Sequence, residues 1–272
     1  MVSHPAATAV PPTCETGMSM IDRLSLAGRR AIVTGAGAGI GRATATLFAA
    51  AGAHVLCVDR DPDAAAEAAA AIGGAAAVLD VSDRIAVKQL LGDFAADGVD
   101  ILANIAGVAS SGERIETMDR AAFDRIFAVN FKGTLHCIQA VLPAMIAARR
   151  GAIVNMVSSA IDLAIPTNAS YSISKAAVAM LTKVLANEVG PDGIRVNAVA
   201  PGFVPTALSM EAAGAGAADR AAYLDRWSKS APLGRVGSPE DIAQQCLYLA
   251  SDAARFVTGQ VLRANGGTTM PW

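Results

Sequence analysis

Two residues with complementary acid–base chemistry, Tyr171 and Lys175, lie four positions apart. Residues 176–181 continue in a helical pattern, so the phenol and the ammonium are expected on one helix face about a turn apart. A free tyrosine has a pKa of about 10, and a cation beside it favours the phenolate. The pair therefore predicts proton exchange with an alcohol or carbonyl oxygen. Taken alone, the spacing also fits a surface lysine that packs its stem on a tyrosine.

Ser158 and Ser159 precede this pair, at the end of the apolar, strand-like run of residues 152–157. The predicted strand delivers two hydroxyls just before the segment that leads into the helix of Tyr171. Several polar groups collected at one strand end favour an active site over a packed core.

A glycine-rich turn follows the apolar run of residues 30–34 and precedes the alanine-rich helical stretch 40–51. Glycines at a strand-to-helix turn let the backbone approach a pyrophosphate, whose charge the helix N-terminus favours. The strand before and the helix after it predict a dinucleotide site, although a turn without function is the alternative in a chain with 25 glycines. The cofactor-binding candidates in the turn are Gly35, Gly39, Ile40 and Gly41.

Asp59 ends the second predicted strand, residues 54–58, eighteen positions beyond Gly41. A carboxylate there accepts hydrogen bonds from the adenosine ribose hydroxyls and repels a 2′-phosphate, which favours NAD over NADP. The next residue, Arg60, is able to receive that phosphate instead. The glycine turn offers no second basic group, so NAD is the predicted cofactor. An ordinary turn carboxylate is the alternative for Asp59.

Predicted helices alternate with further short apolar strands along the rest of the chain. This alternation predicts an α/β protein with a single-domain Rossmann fold: a doubly wound parallel sheet of about seven strands with helices on both faces. The carboxyl ends of parallel strands meet at one edge of such a sheet, where ligands bind. The other cofactor-binding candidates at those ends are Asp80, Val81, Asn104, Ala106, Gly107, Pro201, Gly202, Val204 and Thr206.

Asn130 interrupts the apolar face of a long helical pattern that runs from residue 119 to residue 149. A buried amide must find hydrogen-bond partners. A structural asparagine at a kink with Gly133 is the interpretation that this stretch alone favours.

The bulk composition argues for one enzyme-sized domain that handles a small molecule. The net charge is −2, with no basic cluster for nucleic acid or for a membrane surface. The three histidines and four cysteines show no metal-ligand spacing, and the scattered cysteines indicate reduced thiols in a cytoplasmic protein.

Residues 1–24 are interpreted as a flexible leader before the domain of residues 25–272. Residues 207–230, broken by Gly214 and Gly216, are interpreted as a lid.

Residues 25–268 are similar to the short-chain dehydrogenase/reductase family. The family's TGxxxGxG motif matches Thr34, Gly35, Gly39 and Gly41, and its YxxxK motif matches Tyr171 and Lys175. Its catalytic serine lies thirteen residues before the tyrosine, which selects Ser158, and its helix asparagine matches Asn130. The sequence departs from the family pattern at Ile105, in place of the second asparagine of NNAG, and at Asp162, where a glycine is usual. The C-terminal VDGG is represented by residues 263–267.

The resemblance implies a role for each member of this tetrad. Tyr171 exchanges the hydroxyl proton, and Lys175 lowers the pKa of the tyrosine and holds the nicotinamide ribose. Ser158 donates a hydrogen bond to the reacting oxygen, and Asn130 anchors a water that links Lys175 to solvent. It also implies a homotetramer with contacts through the helices around Asn130 and Tyr171.

These assignments predict hydride transfer between NAD(H) and a secondary alcohol or ketone. The pocket candidates are mostly apolar and favour a hydrophobic or alicyclic substrate, such as a steroid, a cyclic alcohol or an aryl alcohol. A 3-oxoacyl-type or a polyol dehydrogenase of the same family is an alternative, as is a non-catalytic NAD-binding regulator. Besides the lid, the pocket candidates are Val108, Ala160, Asp162, Pro166, Phe203 and Val204.

Overall fold

A parallel sheet of seven strands, in the order β3-β2-β1-β4-β5-β6-β7, forms the centre of the molecule. The structure, a computed structural model, describes residues 22–110, 112–213 and 217–271, so most of the predicted leader lies outside the described residues. The predicted doubly wound Rossmann sheet is confirmed. The strands are β1 (Arg30–Thr34), β2 (His54–Asp59), β3 (Ala75–Val78), β4 (Ile101–Asn104), β5 (Gly151–Met156), β6 (Ile194–Val199) and β7 (Val261–Leu262).

Nine α-helices are found in the described part of the chain, and side-chain caps mark the start of four of them. Asp61 caps the helix at Pro62, and Ser238 forms a capping box with Asp241. Asp83 caps the third helix, because its Oδ1 accepts hydrogen bonds from the amides of Ile85 and Ala86. The helices are α1 (Gly39–Ala50), α2 (Pro62–Ile72), α3 (Arg84–Ala96), α4 (Arg120–Phe127), α5 (Thr134–Ala148), α6 (Ala169–Val189), α7 (Ala207–Ala213), α8 (Ala217–Ser230) and α9 (Pro239–Ala250).

Both faces of the sheet are buried, which explains the near-continuous apolar runs of its central strands. On one face, Val33 and Cys57 pack in a core that includes Phe48 of α1 and Cys246 of α9. On the other face, Ile32 of the same strand packs in a core built with α3, α5 and α6. Alternation along a strand therefore sends successive side chains into two separate cores.

A π-helical turn, Ala128–Gly133, joins α4 to α5, and it is the kink that Asn130 and Gly133 predict. The combined segment Arg120–Ala148 is long and apolar enough to cross a membrane by length and composition alone. Its buried residues, among them Ile138 and Met145, pack against the sheet in the second core. This packing matches a core helix of a globular domain.

The strand order brings distant segments to one edge of the sheet. β1 lies between β2 and β4, so the chain leaves the two sides of the sheet in opposite directions and opens a crevice above β1. The glycine turn, the ends of β2 to β6 and the segment after β6 surround this crevice. The predicted lid is α7 and α8, and residues 214–216, with the predicted helix-breaking glycines, lie outside the described residues.

Candidate active site

A cavity of about 570 Å³ opens at the carboxyl edge of the sheet and collects most of the predicted site residues. Ser158, Tyr171 and Lys175 line its centre. Of the predicted residues, Asn104, Asn130 and Asp162 do not line it. The predicted cofactor residues that do are Gly35, Gly39, Ile40, Gly41, Asp59, Arg60, Asp80, Val81, Ala106, Gly107, Pro201, Gly202, Val204 and Thr206.

Ser158 and Tyr171 both line the cavity, and the Ser158 hydroxyl lies close enough to the phenol to lower its pKa. Ser158 follows β5 and caps the short turn Ser159–Ile161, because its Oγ accepts a hydrogen bond of 3.2 Å from the amide of Ala160. Tyr171 lies in the first turn of α6, one turn before Lys175. The strand end and the helix start thus bring the two hydroxyls together.

Burial raises the pKa of Tyr171, and the hydrogen bond with Ser158 lowers it in part. Burial lowers the pKa of Lys175 to about 8. The Nζ atom of Lys175 lies 5.8 Å from the centre of the Tyr171 ring and donates a hydrogen bond of 2.9 Å to the carbonyl oxygen of Met156. The predicted lowering of the Tyr171 pKa by Lys175 is therefore not seen here. The group that lowers the pKa is Ser158.

Asn130 is fully buried in the π-helical turn and holds the loop that follows β4. Its Oδ1 accepts from the Val108 amide at 2.8 Å, and its Nδ2 donates to the Val108 carbonyl at 3.0 Å and to Ser174 Oγ at 3.0 Å. The side chain satisfies its hydrogen-bonding groups within the protein, as the structural interpretation required. Its role as a water anchor stays a prediction.

The cofactor end of the cavity is built around a fixed carboxylate. Asp59 Oδ2 accepts from the Gly37 amide at 2.8 Å, and Oδ1 accepts from the Asp61 amide at 3.1 Å. A Cβ atom on Gly37 would lie 2.8 Å from Asp59 Oδ2 and 2.7 Å from Ala64 Cβ, so only glycine permits this contact. Sequence reasoning placed Asp59 correctly at the cavity but did not identify the role of Gly37.

A second carboxylate, Asp80, lies at the same end of the cavity after β3. It accepts hydrogen bonds from Ser82, with Oγ at 2.7 Å and the amide at 2.8 Å, and these bonds lower its pKa. Arg60 faces it closely enough to lower the same pKa further. This end of the cavity therefore carries two carboxylates and one guanidinium, and it is adapted to polar groups such as a ribose.

Asn104 is buried and does not line the cavity, so its predicted contact with the cofactor stays a prediction. Its Nδ2 donates to Asn155 Oδ1 at 2.9 Å, and Asn155 donates to Thr182 Oγ1 at 3.0 Å. The network joins β4, β5 and α6 beneath the site. Thr34 fixes the adjoining loop, because its Oγ1 accepts from the amides of Ile105 and Ala106 at 3.0 and 3.2 Å.

The opposite end of the cavity has an aromatic wall, which we define as Phe203, Tyr223 and Trp227. The Phe203 and Trp227 rings are stacked with centres 5.1 Å apart, and Tyr223 meets Phe203 edge-on at 5.3 Å. The i, i+4 spacing of Tyr223 and Trp227 within the predicted lid was the sequence signal for this wall, and it was not recognised. The other apolar and small residues at this end include Val108, Ala160, Leu163, Ile165, Pro166, Val204 and Leu208.

Asp162 was predicted to face the pocket, and this prediction is wrong. Its carboxylate instead binds Arg263, with Nε at 2.7 Å and Nη2 at 3.0 Å. Arg263 follows β7, 101 positions away in sequence. No local pattern signals a pairing over such a distance.

The arrangement has the parts of a hydride-transfer site. A crevice with a glycine turn leads to a tyrosine and a serine that line the same cavity beside a buried lysine. The protein groups supply proton exchange and positioning, and a nicotinamide supplies the hydride acceptor or donor when it is bound. No cluster of metal-ligating side chains is found among the described residues. Such a fold and site define a nicotinamide-dependent oxidoreductase.

Comparisons with known proteins agree with this class. The family described as "Enoyl-(Acyl carrier protein) reductase" matches residues 35–269. The chain belongs to the short-chain dehydrogenase/reductase family, whose named relatives act on CH–OH groups.

Three similar proteins illustrate the range of substrates. Galactitol 2-dehydrogenase (L-tagatose-forming) of Cereibacter sphaeroides is 39% identical, over 90% of this chain and 96% of that protein. 2,5-Dichloro-2,5-cyclohexadiene-1,4-diol dehydrogenase of Sphingobium indicum is 38% identical, over 90% of this chain and 98% of that protein. A gluconate 5-dehydrogenase from Burkholderia cenocepacia, solved in complex with NADP and tartrate, is 35% identical. The similarity covers 93% of this chain and 100% of that chain, with a TM-score of 0.86. The chain is therefore an oxidoreductase of this family, and these names do not agree on one substrate.

Proposed function

We propose that this protein is an NAD(H)-dependent dehydrogenase of neutral, ring-bearing secondary alcohols and the corresponding ketones. The observation that supports this proposal is the unequal distribution of charged side chains along the cavity. Four described lining residues are charged, and three of them, Asp59, Arg60 and Asp80, lie at the cofactor end. The fourth is Lys175, beside the reacting tyrosine.

The substrate end supports a neutral and largely apolar ligand. It has no charged side chain among the described residues other than Lys175, so a carboxylate or phosphate on the substrate would lack a countercharge. The aromatic wall offers flat apolar surface on which a ring packs. These features favour an alicyclic or aromatic alcohol over a sugar acid.

In the oxidation direction, the phenolate of Tyr171 would accept the hydroxyl proton of the alcohol, and a bound nicotinamide would supply the hydride acceptor. Ser158 holds the same oxygen and stabilises the phenolate. Lys175 lies beside the predicted position of the nicotinamide ribose. Because burial has already lowered its pKa to about 8, it exchanges a proton readily with Tyr171 or with a neighbouring water.

Asp59 supports NAD over NADP, since its fixed carboxylate would repel a 2′-phosphate. Arg60 is the competing group. A neighbour solved with NADP makes the choice a matter for direct measurement.

The experiment is to follow NADH formation by the purified protein with NAD⁺ and a panel of cyclic monools, cyclic diols, aryl alcohols, steroids and polyols, with NADP⁺ in parallel. Turnover of cyclic or aryl alcohols with NAD⁺ is expected. Turnover of polyols alone would overturn the substrate class, and turnover with NADP⁺ alone would overturn the cofactor.

We also propose a cytoplasmic homotetramer. The described cysteines, Cys57, Cys137 and Cys246, are buried free thiols, as in a reducing compartment. On α6, Ile173, Met180 and Val184 are 50%, 59% and 48% exposed, and their spacing places them on one face that a second copy would cover. Light scattering should give four times the monomer mass, and a monomer in solution would overturn the assembly.

A further inference from the structure

The turn that carries Ser158 is fixed at its far end by an ion pair outside the cavity. Ser158 begins this turn and Asp162 ends it, and the Asp162 amide donates 3.0 Å to the Ser159 carbonyl. Both carboxylate oxygens of Asp162 bind the guanidinium of Arg263, at 2.7 and 3.0 Å. A two-point pairing of this kind fixes orientation as well as distance.

The pair is well enclosed, which separates it from an ordinary surface contact. The Asp162 side chain is 13% exposed and that of Arg263 is 31% exposed. Arg263 also donates to the Val261 carbonyl at 3.2 Å, so its guanidinium is held on its own strand. Thr269 Oγ1 approaches the same carboxylate at 3.4 Å. Asp162 is thus tied to the end of β7 and to the segment after it.

The segment after β7 also holds the other wall of the site. The Gly202 amide donates to the Ala264 carbonyl at 3.1 Å, and a Cβ on Gly202 would lie 2.8 Å from Asn265 Cα. Asn265 in turn donates to Thr269 Oγ1 at 2.7 Å. One C-terminal segment therefore sets the positions of the Ser158 turn and of the Pro201–Gly202 backbone.

We propose that Asp162 and Arg263 are positioning residues for Ser158, and that their ion pair holds its hydroxyl against the Tyr171 phenol. The inference rests on the proposed function, in which Tyr171 exchanges the proton. Neither residue lines the active-site cavity or touches a reacting group. Their effect reaches the chemistry only through the geometry of the Ser158 turn.

The proposal predicts a specific signature. Because the Ser158 hydrogen bond lowers the pKa of Tyr171, a loosened turn should raise that pKa. In Arg263→Gln and in Asp162→Asn, kcat for alcohol oxidation should fall about tenfold, and its pH midpoint should move to more alkaline pH. The KM for NAD⁺ should stay near the wild-type value. The exchange Asp162→Arg with Arg263→Asp should restore part of the lost kcat.

The matched control is Arg235→Gln, which breaks another two-point pair with a carboxylate, Asp241, at 2.6 and 2.9 Å. That pair lies at the start of α9, and neither of its residues lines the active-site cavity. Arg235→Gln should leave kcat and its pH midpoint unchanged.

A second readout makes the test independent of turnover. The chain has three tyrosines, so a tyrosinate absorbance titration, with Tyr171→Phe as the subtraction, follows the Tyr171 pKa directly. An alkaline shift in Arg263→Gln supports the proposal even if no alcohol tried is a substrate. An unchanged Tyr171 titration in both single variants would overturn it, whatever their melting temperatures. If the wild-type protein turns over no secondary alcohol but the titration shifts, the proposed function fails and the positioning role stands.

Discussion

The two ends of the cavity are built in different ways. At the cofactor end, Asp59 is locked by backbone amides on a glycine turn, and little in that geometry is free to vary. At the other end, the aromatic wall is formed by side chains from the segment after β6 and from α8, which pack by shape alone. The first end carries chemistry that many family members share, whereas the second end decides which alcohol is used. Tyr171 and Ser158 lie at the junction.

The largest effect is expected from Tyr171→Phe, which removes the phenolic oxygen at the junction and keeps the ring. Without a proton acceptor, kcat should fall by about a thousandfold for every substrate, while NAD⁺ binding is retained. Steady-state kinetics and NADH binding measure the two quantities. Near-normal turnover would show that another group exchanges the proton.

The substitution Asp59→Asn tests the cofactor end of the cavity separately. Loss of charge-assisted bonds to the ribose should lower kcat/KM for NAD⁺ by roughly tenfold to a hundredfold, and the value for NADP⁺ should rise as the repulsion is removed. The ratio of the two cofactors is the measurement. Asp61→Asn is the control, because that side chain caps α2 and asparagine caps equally well. A wild-type enzyme that already prefers NADP⁺ would contradict the expectation.

Lys175 allows the free-energy cost of burying a cation between the two ends of the cavity to be measured. Its pKa is about 8 in the folded protein against an ordinary lysine value of 10.5, so the unfolded chain binds more protons between these limits. The contribution of Lys175 to stability should therefore rise with pH from about 8 to 10.5, by roughly 1–3 kcal/mol, whereas the buried thiols of Cys57, Cys137 and Cys246, whose pKa values burial raises, lower stability above about pH 9. Urea unfolding at pH 6, 8 and 10 tests this. In Lys175→Met the rise should disappear, and stability at pH 7 should exceed that of the wild type; a parallel pH profile in the two proteins would argue against a buried, strained ammonium.

The smallest effect is expected at the substrate end, with Trp227→Leu. Loss of the stacked ring should raise KM for a ring-bearing alcohol about tenfold without changing KM for NAD⁺. Arg226→Leu is the control on the same helix, since Arg226 packs over Tyr223 at 5.1 Å but does not line the cavity. If both variants raised KM for the cofactor as well, the two ends would not be independent.

The same contrast explains what the sequence could reveal. Periodicity and glycine turns predict the sheet, the crevice and the positions of Tyr171, Lys175 and Asp59, because each of these depends on local spacing. The Asp162–Arg263 pair and the Asn104–Asn155–Thr182 network depend on which segments meet in space, and no local pattern signals that meeting. The position of the Lys175 ammonium relative to the phenol could not be predicted from the sequence either, since the ammonium donates a hydrogen bond to the Met156 carbonyl at the end of β5.

The π-helical turn makes chain length at this point a determinant of activity. A π turn accommodates one residue more than an α-helix would at the same place. Deleting one residue within Ala128–Gly133 would let α4 and α5 merge into one continuous α-helix and would remove the widened turn that holds Asn130. The Asn130 amide would then no longer face Val108. The natural variants to examine here are therefore insertions and deletions, because substitutions leave this register intact.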